Sequence, residues 1–230
     1  MLSDFVAFWA GFAMGWLHPG MRNVFGGPMN GQQARRRMVE SLCATIPFTD
    51  AVETGSYRGD STGFLARGIP GTLFTIELQP FDYGFSKARY LLVRSVRCLR
   101  GDSRVVLPTL IAGSEGPWLL YLDAHWNEEL PLIEEIDCIG KAGIAAVLVI
   151  DDFEVPGDPG YGFDDYGSGK ALRLEFIEPV VRRHGLAVFF PAVPSDAETG
   201  ACRGCVVLAT PDLAYQVAKL PTLRRFEGPT

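Results

Sequence analysis

One run of this chain leaves little freedom about its fold. Residues 145–152, AAVLVIDD, place six apolar side chains in a row and then two aspartates. A strand with one wet face alternates; a strand apolar at every position is buried on both faces, as in the middle of a parallel sheet. Shorter runs of the same kind occur at 72–78 (TLFTIEL), 96–102 (VRCLRGD) and 118–124 (WLLYLDA), and Ala51 and Val52 finish another. Helical patterns separate them at 80–92, 102–112, 130–141 and 169–184. A further helix begins at Asn30 or Gly31 and runs to Ala44, with Met38, Val39 and Leu42 on one face. Strands alternating with helices form right-handed βαβ units and a parallel sheet. At the end, 186–192 (LAVFFPA) and 205–210 (CVVLAT) are joined by a loop without a helix, which predicts an antiparallel hairpin at one edge. The expectation is one α/β domain over 24–230 with an apolar segment, 1–23, in front of it.

In open α/β sheets ligands bind beyond the carboxyl ends of the strands, so the residues there carry the most information. The first strand runs into AVETGSYRGDST, residues 51–62. Gly55 and Gly59 make a turn without side-chain bulk, open to a ligand at the backbone, and Asp60, Ser61 and Thr62 are helix-capping types. The spacing E-x-G-x-x-x-G differs from the G-x-G-x-x-G that seats a pyrophosphate. One glycine turn beside the carboxylate of Glu53 suits a ligand that is cationic and carries no phosphate, such as S-adenosylmethionine. Glu77, at the second strand end, is placed to accept the two hydroxyls of a ribose. Asp102 and Ser103, at the third, can meet an adenine edge; Asp102 can equally cap the helix that follows.

Asp123 ends the fourth strand, and Asp151 and Asp152 end the fifth. Three converging carboxylates with no lysine between them repel unless a cation sits there, and all-oxygen ligands select a hard ion such as Mg²⁺, Mn²⁺ or Ca²⁺. Such an ion acidifies a bound hydroxyl. His125 follows directly and is placed as a general base, a metal ligand or a structural hydrogen-bonding group. The loop VPGDPGYGFDDYGSGK, 155–170, is long and glycine-rich, and its Tyr161, Asp164, Asp165 and Tyr166 are candidates for gripping a substrate.

Composition narrows the function class. A net charge of −6 without a basic face argues against nucleic acid as a partner. The basic run Arg35-Arg36-Arg37 reads as a solvated helix face, with room for a partner carboxylate. The five cysteines (Cys43, Cys98, Cys138, Cys202 and Cys205) are odd in number and scattered, which with no secretory leader points to reduced thiols in the cytoplasm. Cys202 and Cys205 lack the further ligands a zinc site needs. The stretch 5–17, FVAFWAGFAMGWL, is too short to span a bilayer and reads as a helix packed on the domain, a lid, or a contact surface in a homodimer.

The segments FGGPMNGQ (25–32), ETGSYRGDST (53–62), LDAHW (122–126), IDDF (150–153) and GYGFDDYGSGKAL (160–172) together resemble the class I S-adenosylmethionine-dependent methyltransferases, specifically bacterial small-molecule O-methyltransferases of the metal-dependent catechol and macrocin types. The resemblance covers residues 24–210. It implies a Rossmann-like, doubly wound seven-stranded sheet with the last strand antiparallel. It implies cofactor contacts at Glu53, Gly55, Ser56, Tyr57, Ser61, Glu77, Asp102, Ser103 and Asp123. The catechol-type enzymes place metal ligands where this chain has Asp123, Asp151 and Asp152; they carry a lysine shortly after the first, where this chain has His125. The expected activity is O-methylation of a small hydroxylated molecule with a divalent cation, catalysed by His125 and Asp123. The rival expectation is a non-catalytic binding module, or another reaction, on the same scaffold.

Overall fold

A computed structural model describes residues 2–18, 21, 26–125, 130–167 and 169–227. Phe25, Trp126 and Ser168, which belong to the segments quoted above, lie outside the described residues.

The parallel part of the sheet forms as the apolar runs require: β1 (Asp50–Thr54), β2 (Leu73–Glu77), β3 (Val96–Arg100), β4 (Trp118–Leu122) and β5 (Ala146–Asp151). In β5, Leu148 and Ile150 join the apolar layer under one face of the sheet, and Val147 and Val149 join the layer under the other. Each of these side chains is completely buried, at about 1.5–3 kcal/mol of transfer free energy apiece. Helices α5 (Ser103–Ile111), α6 (Leu132–Ala142) and α7 (Leu174–His184) cover the first face; α2 (Gln33–Thr45), α3 (Asp60–Gly68) and α8 (Pro211–Val217) cover the second.

The spatial order of strands is β3-β2-β1-β4-β5-β7-β6-β8. β6 (Ala187–Pro191) and β7 (Cys205–Ala209) pair antiparallel. The pair is not an edge hairpin, however: β7 sits between β5 and β6 and is antiparallel to both. The sheet has eight strands and not seven. After α8 the chain returns as β8 (Leu223–Arg225), which adds antiparallel to the free side of β6. Its anchors are Leu223, which is buried, and Phe226, whose ring meets Phe190 edge-on at 5.7 Å.

The N-terminal segment forms α1 (Leu2–Leu17), which packs on α4 (Pro80–Arg89). Gly11 and Gly15 lie against the backbone carbonyl groups of Phe81 and Phe85, and Gly84 lies against that of Phe8. The two backbones approach so closely because no side chain stands between them. No helix among the described residues is long and apolar enough to cross a membrane.

Candidate active site

The switch in strand order between β1 and β4 leaves a crevice at their carboxyl ends, where open sheets of this kind bind ligands. The turn after β1 is built by hydrogen bonds from Gly55 N and Ser56 N to Ile76 O at 3.0 and 3.3 Å, and from Gly59 N to Ser56 O at 2.7 Å. Gly55 has φ 76°, and a Cβ there would run into the carbonyl of Asp123. The glycine is therefore required by the neighbouring strand end and not only by access for a ligand. The expected caps of α3 are not made: Gly59 occupies the cap position, Asp60 pairs with Arg89 at 2.7 Å, Ser61 Oγ accepts from Met29 N at 3.2 Å, and Thr62 donates to Glu53.

Glu53 is buried below this turn, where the hydroxyls of Thr62 and Thr75 both donate to it. Burial outweighs those donors and pushes its carboxyl up to about 7. Glu77 stands at the rim of the crevice, 8% exposed; its carboxylate accepts from Tyr57 N and Gln79 N, each at 2.8 Å, and burial raises it to about 7 as well. Tyr57 is in the left-handed region at φ 45° and is 40% exposed beside it. Asp102 caps α5 by accepting from Arg104 N at 2.9 Å, and the Arg104 guanidinium holds it below the usual carboxylate range. Ser103, buried at the first turn of α5, faces Glu135 of α6. Glu135 is a buried acid that the sequence did not single out; burial raises it to about 7 against hydrogen bonding by Ser103. Among the described residues seven buried side-chain polar atoms lack a well-formed hydrogen bond, and four of them cluster here: Thr54 Oγ1 and Glu135 Oε1, which face each other, Ser56 Oγ and His125 Nε2. Thr54 and Ser56 flank the glycine turn, Ser103 links Glu135 to the end of β3, and His125 follows β4. Orphaned groups placed like this are what a polar ligand in the crevice would satisfy.

The acids of β4 and β5 are sorted differently from the sequence expectation. Asp151 is 2% exposed and ion-paired with Arg35, itself 1% exposed, and it also accepts from the Tyr121 hydroxyl at 2.6 Å and from Asp152 N at 2.9 Å. Against the cost of burial, the Arg35 charge and these donors hold Asp151 below the ordinary carboxylate range. The run Arg35-Arg36-Arg37 is thus not a solvated face: Arg35 points inward, Arg36 bonds Pro28 O at 3.0 Å, and Arg37 alone is exposed. The acids do have a cation among them, supplied from far along the chain. Arg203, just before β7, bonds Asp152 through Nε at 2.6 Å and Asp164 through Nη2.

With Asp151 engaged, the cluster able to ligate a cation is Asp123, His125 and Asp152, whose ligand atoms lie within 4.8 Å of one another. Partial burial, then the charges of Asp151 and Asp152, raises Asp123, whose side chain is still 36% exposed, above the usual range; burial and Asp151 bring Asp152 to about 7, with Arg203 opposing. His125 is 5% exposed with Nε2 3.7 Å from Asp123 Oδ1, and burial lowers its affinity for a proton, so the ring is neutral near pH 7. Of the loop residues, Asp164 and Tyr166 reach the cluster. The Tyr166 hydroxyl donates to Asp164 at 2.5 Å and to His125 O at 3.3 Å. Asp165 is half-exposed and bonds its own turn at Gly167 N. Tyr161 turns into the core, 3% exposed, with its hydroxyl on Val193 O at 2.9 Å; it does not face the crevice.

No family model matches the chain, and no curated protein matches it. Solved structures do. The O-methyltransferase TomG from Streptomyces achromogenes, involved in tomaymycin synthesis and in complex with S-adenosylmethionine, is 20% identical over 76% of this chain and 79% of its own, with a TM-score of 0.51. Cofactor-bound Rv0187 from MTB is 19% identical over 90% of this chain and 89% of its own, with a TM-score of 0.54. CalS10, an S-adenosylmethionine-bound amino pentose methyltransferase from Micromonospora echinaspora involved in calicheamicin biosynthesis, is 14% identical over 76% and 89%, with a TM-score of 0.53. This chain has the class I methyltransferase fold.

Proposed function

We propose that this chain is an S-adenosylmethionine-dependent methyltransferase that acts on a hydroxyl of a small molecule. The observation that carries the reading is that the two halves of the site meet at adjacent strand ends. Gly55, in the β1 turn that Glu77 braces through Tyr57 N, abuts the carbonyl of Asp123, the first member of the Asp123–His125–Asp152 cluster. The names of TomG and CalS10, an O-methyltransferase and a sugar-type methyltransferase, support the substrate class.

The residues present fit both groups that this chemistry uses. Glu77, Tyr57, Ser56, Asp102 and Ser103 would hold the nucleoside and methionine parts of the cofactor, with Thr54 and Glu135 closing the pocket floor. When bound, S-adenosylmethionine supplies a sulfonium methyl group. Asp123 and Asp152 would hold a divalent cation, which supplies a Lewis acid for the substrate hydroxyl. Two carboxylates are a hard oxygen donor set, which suits Mg²⁺ or Mn²⁺ and leaves His125 beside the ion with its ring nitrogen free. Neutral His125, its Nε2 buried without a partner, accepts the hydroxyl proton. Tyr166 and Asp164, tied to His125 and Arg203, position the loop that excludes water.

Titration calorimetry of the full chain with S-adenosylmethionine tests the first half. Binding is expected, and its absence in well-folded protein overturns the reading. Methyl transfer to a panel of hydroxylated sugars and phenols, with chelator and with added Mn²⁺, tests the second. If His125→Ala abolishes Mn²⁺ binding, His125 is a ligand and the proton acceptor is another group.

A further inference from the structure

Helix α1 has two apolar faces, and the domain uses one. Its glycine face is seated on α4, the Phe8 ring lies 5.6 Å from Tyr83, and Asp4 pairs with Arg100 at 2.6 Å. The other face presents Leu2, Phe5, Val6, Trp9, Trp16 and Leu17, every one of them at least half exposed. Their spacing of three, four and seven residues puts them in one stripe along the helix. A helix fixed to the domain through backbone contact is not a free lid, so this stripe is a standing surface.

Its area and charge say what covers it. At these exposures the six α1 side chains offer roughly 560–940 Å² of apolar surface, taking large side chains at about 150–250 Å² each. Monomers seldom leave more than a few hundred Å² of contiguous apolar surface open, and a stable protein interface needs about 800 Å² from each partner. The stripe alone is of that order. The only charge on α1 is Asp4, already neutralised by Arg100. Attachment to an anionic lipid surface relies on Lys and Arg flanking the apolar face; α1 has neither, and the chain carries −6 overall. A second copy brings the same charge-free, aromatic-rich stripe, the composition found at the centre of interfaces, and a two-fold axis makes one such patch complementary to itself. We propose that α1 is the centre of a two-fold interface between two copies of this chain, with Trp9 and Trp16 as its anchors.

Sedimentation velocity of the full chain, over about 1 to 100 μM, reads this directly. The wild type is expected at twice the 25.2 kDa chain mass. Trp9→Ser combined with Trp16→Ser is expected at the mass of one chain, with self-association weakened about 100-fold or more and an unchanged circular dichroism spectrum. Because Trp9 also touches Phe8 and Phe12 on its own helix, Val6→Lys serves as a second variant that leaves those rings in place and is also expected to be monomeric. A wild type that stays monomeric across the range overturns the proposal, as does a dimer that both variants leave intact. Co-sedimentation of monomeric wild type with vesicles of phosphatidylcholine and phosphatidylglycerol assigns the stripe to lipid and overturns it too.

Discussion

Replacing Arg35 by Met tests the claim that Asp151 is a structural acid held by an arginine. The pair is almost completely dry, with side chains 1% and 2% exposed. Removing the guanidinium leaves Asp151 with the Tyr121 hydroxyl at 2.6 Å and the Asp152 amide at 2.9 Å, and no compensating charge. Breaking one side of a buried pair costs about 3–5 kcal/mol, mostly the penalty on the stranded charge. The variant also loses the Arg35 hydrogen bond to Arg203 O, which points to the upper part of that range. The cost depends on pH with a definite sign. In the wild type Asp151 is held below its ordinary range, so it contributes stability above the unfolded pKa that is lost only in acid. Without Arg35, burial raises it, and the penalty grows as pH rises, by up to about 1.4 kcal/mol per unit. Urea unfolding followed by circular dichroism at about pH 5.5 and about pH 8 should therefore give a larger loss at the higher pH. Asp151→Asn in the same chain removes the stranded charge and should return about 2 kcal/mol or more. A loss below about 1 kcal/mol, an equal loss at both pH values, or strict additivity in the double variant would refute the reasoning.

Three further outcomes follow from the same geometry. Glu53, raised from 4.5 to about 7 by burial, keeps a proton in the folded state that the unfolded chain releases; wild-type stability should fall as pH rises from about 4.5 through about 7, and Glu53→Gln should flatten that fall by up to about 3 kcal/mol in a series of melting curves, a parallel pH dependence counting against it. Gly55→Ala places a Cβ against the Asp123 carbonyl at φ 76° and should cost about 2–4 kcal/mol, whereas a wild-type melting temperature would show that the two strand ends are not in contact. Arg203→Gln frees Asp152 from its 2.6 Å partner and should tighten Mn²⁺ binding about tenfold, roughly 1.4 kcal/mol by calorimetry; unchanged affinity would remove Asp152 from the ligand set.

The strands were legible because burial on both faces leaves a pattern that chain-local reasoning can read, as in 145–150. The start of α5 was legible too, since Asp102 caps it through an amide two residues away. What escaped was set by contacts across the fold. Asp123, Asp151 and Asp152 looked like one cluster because they end neighbouring strands, yet the guanidinium that removes Asp151 comes from a residue 116 positions earlier. A signal for it existed: Arg35 precedes Met38, Val39 and Leu42 by three, four and seven residues, on the buried face of α2. Glu135 carried the same mark, three residues after Leu132 and four before Ile139 on the buried face of α6; Arg203 carried none, since it lies in a loop. The eighth strand is three residues long, too short for periodicity to show.

Helix α2 begins without a cap of its own. Gln32, at the cap position, turns its side chain to Arg203, and the first amides of the helix are taken up by the far end of the chain: Gln33 N by Thr199 Oγ1 at 2.9 Å, Ala34 N and Arg35 N by the two oxygens of Glu198 at 2.9 and 3.0 Å. During synthesis these groups meet only after some 160 further residues have been added. The first turn of the helix that carries Arg35 thus gains its backbone partners only when residues 198–199 are in place. A chain arrested before Glu198 would leave the first amides of α2 without these partners, and the frayed helix start is the state a protease or a chaperone would meet.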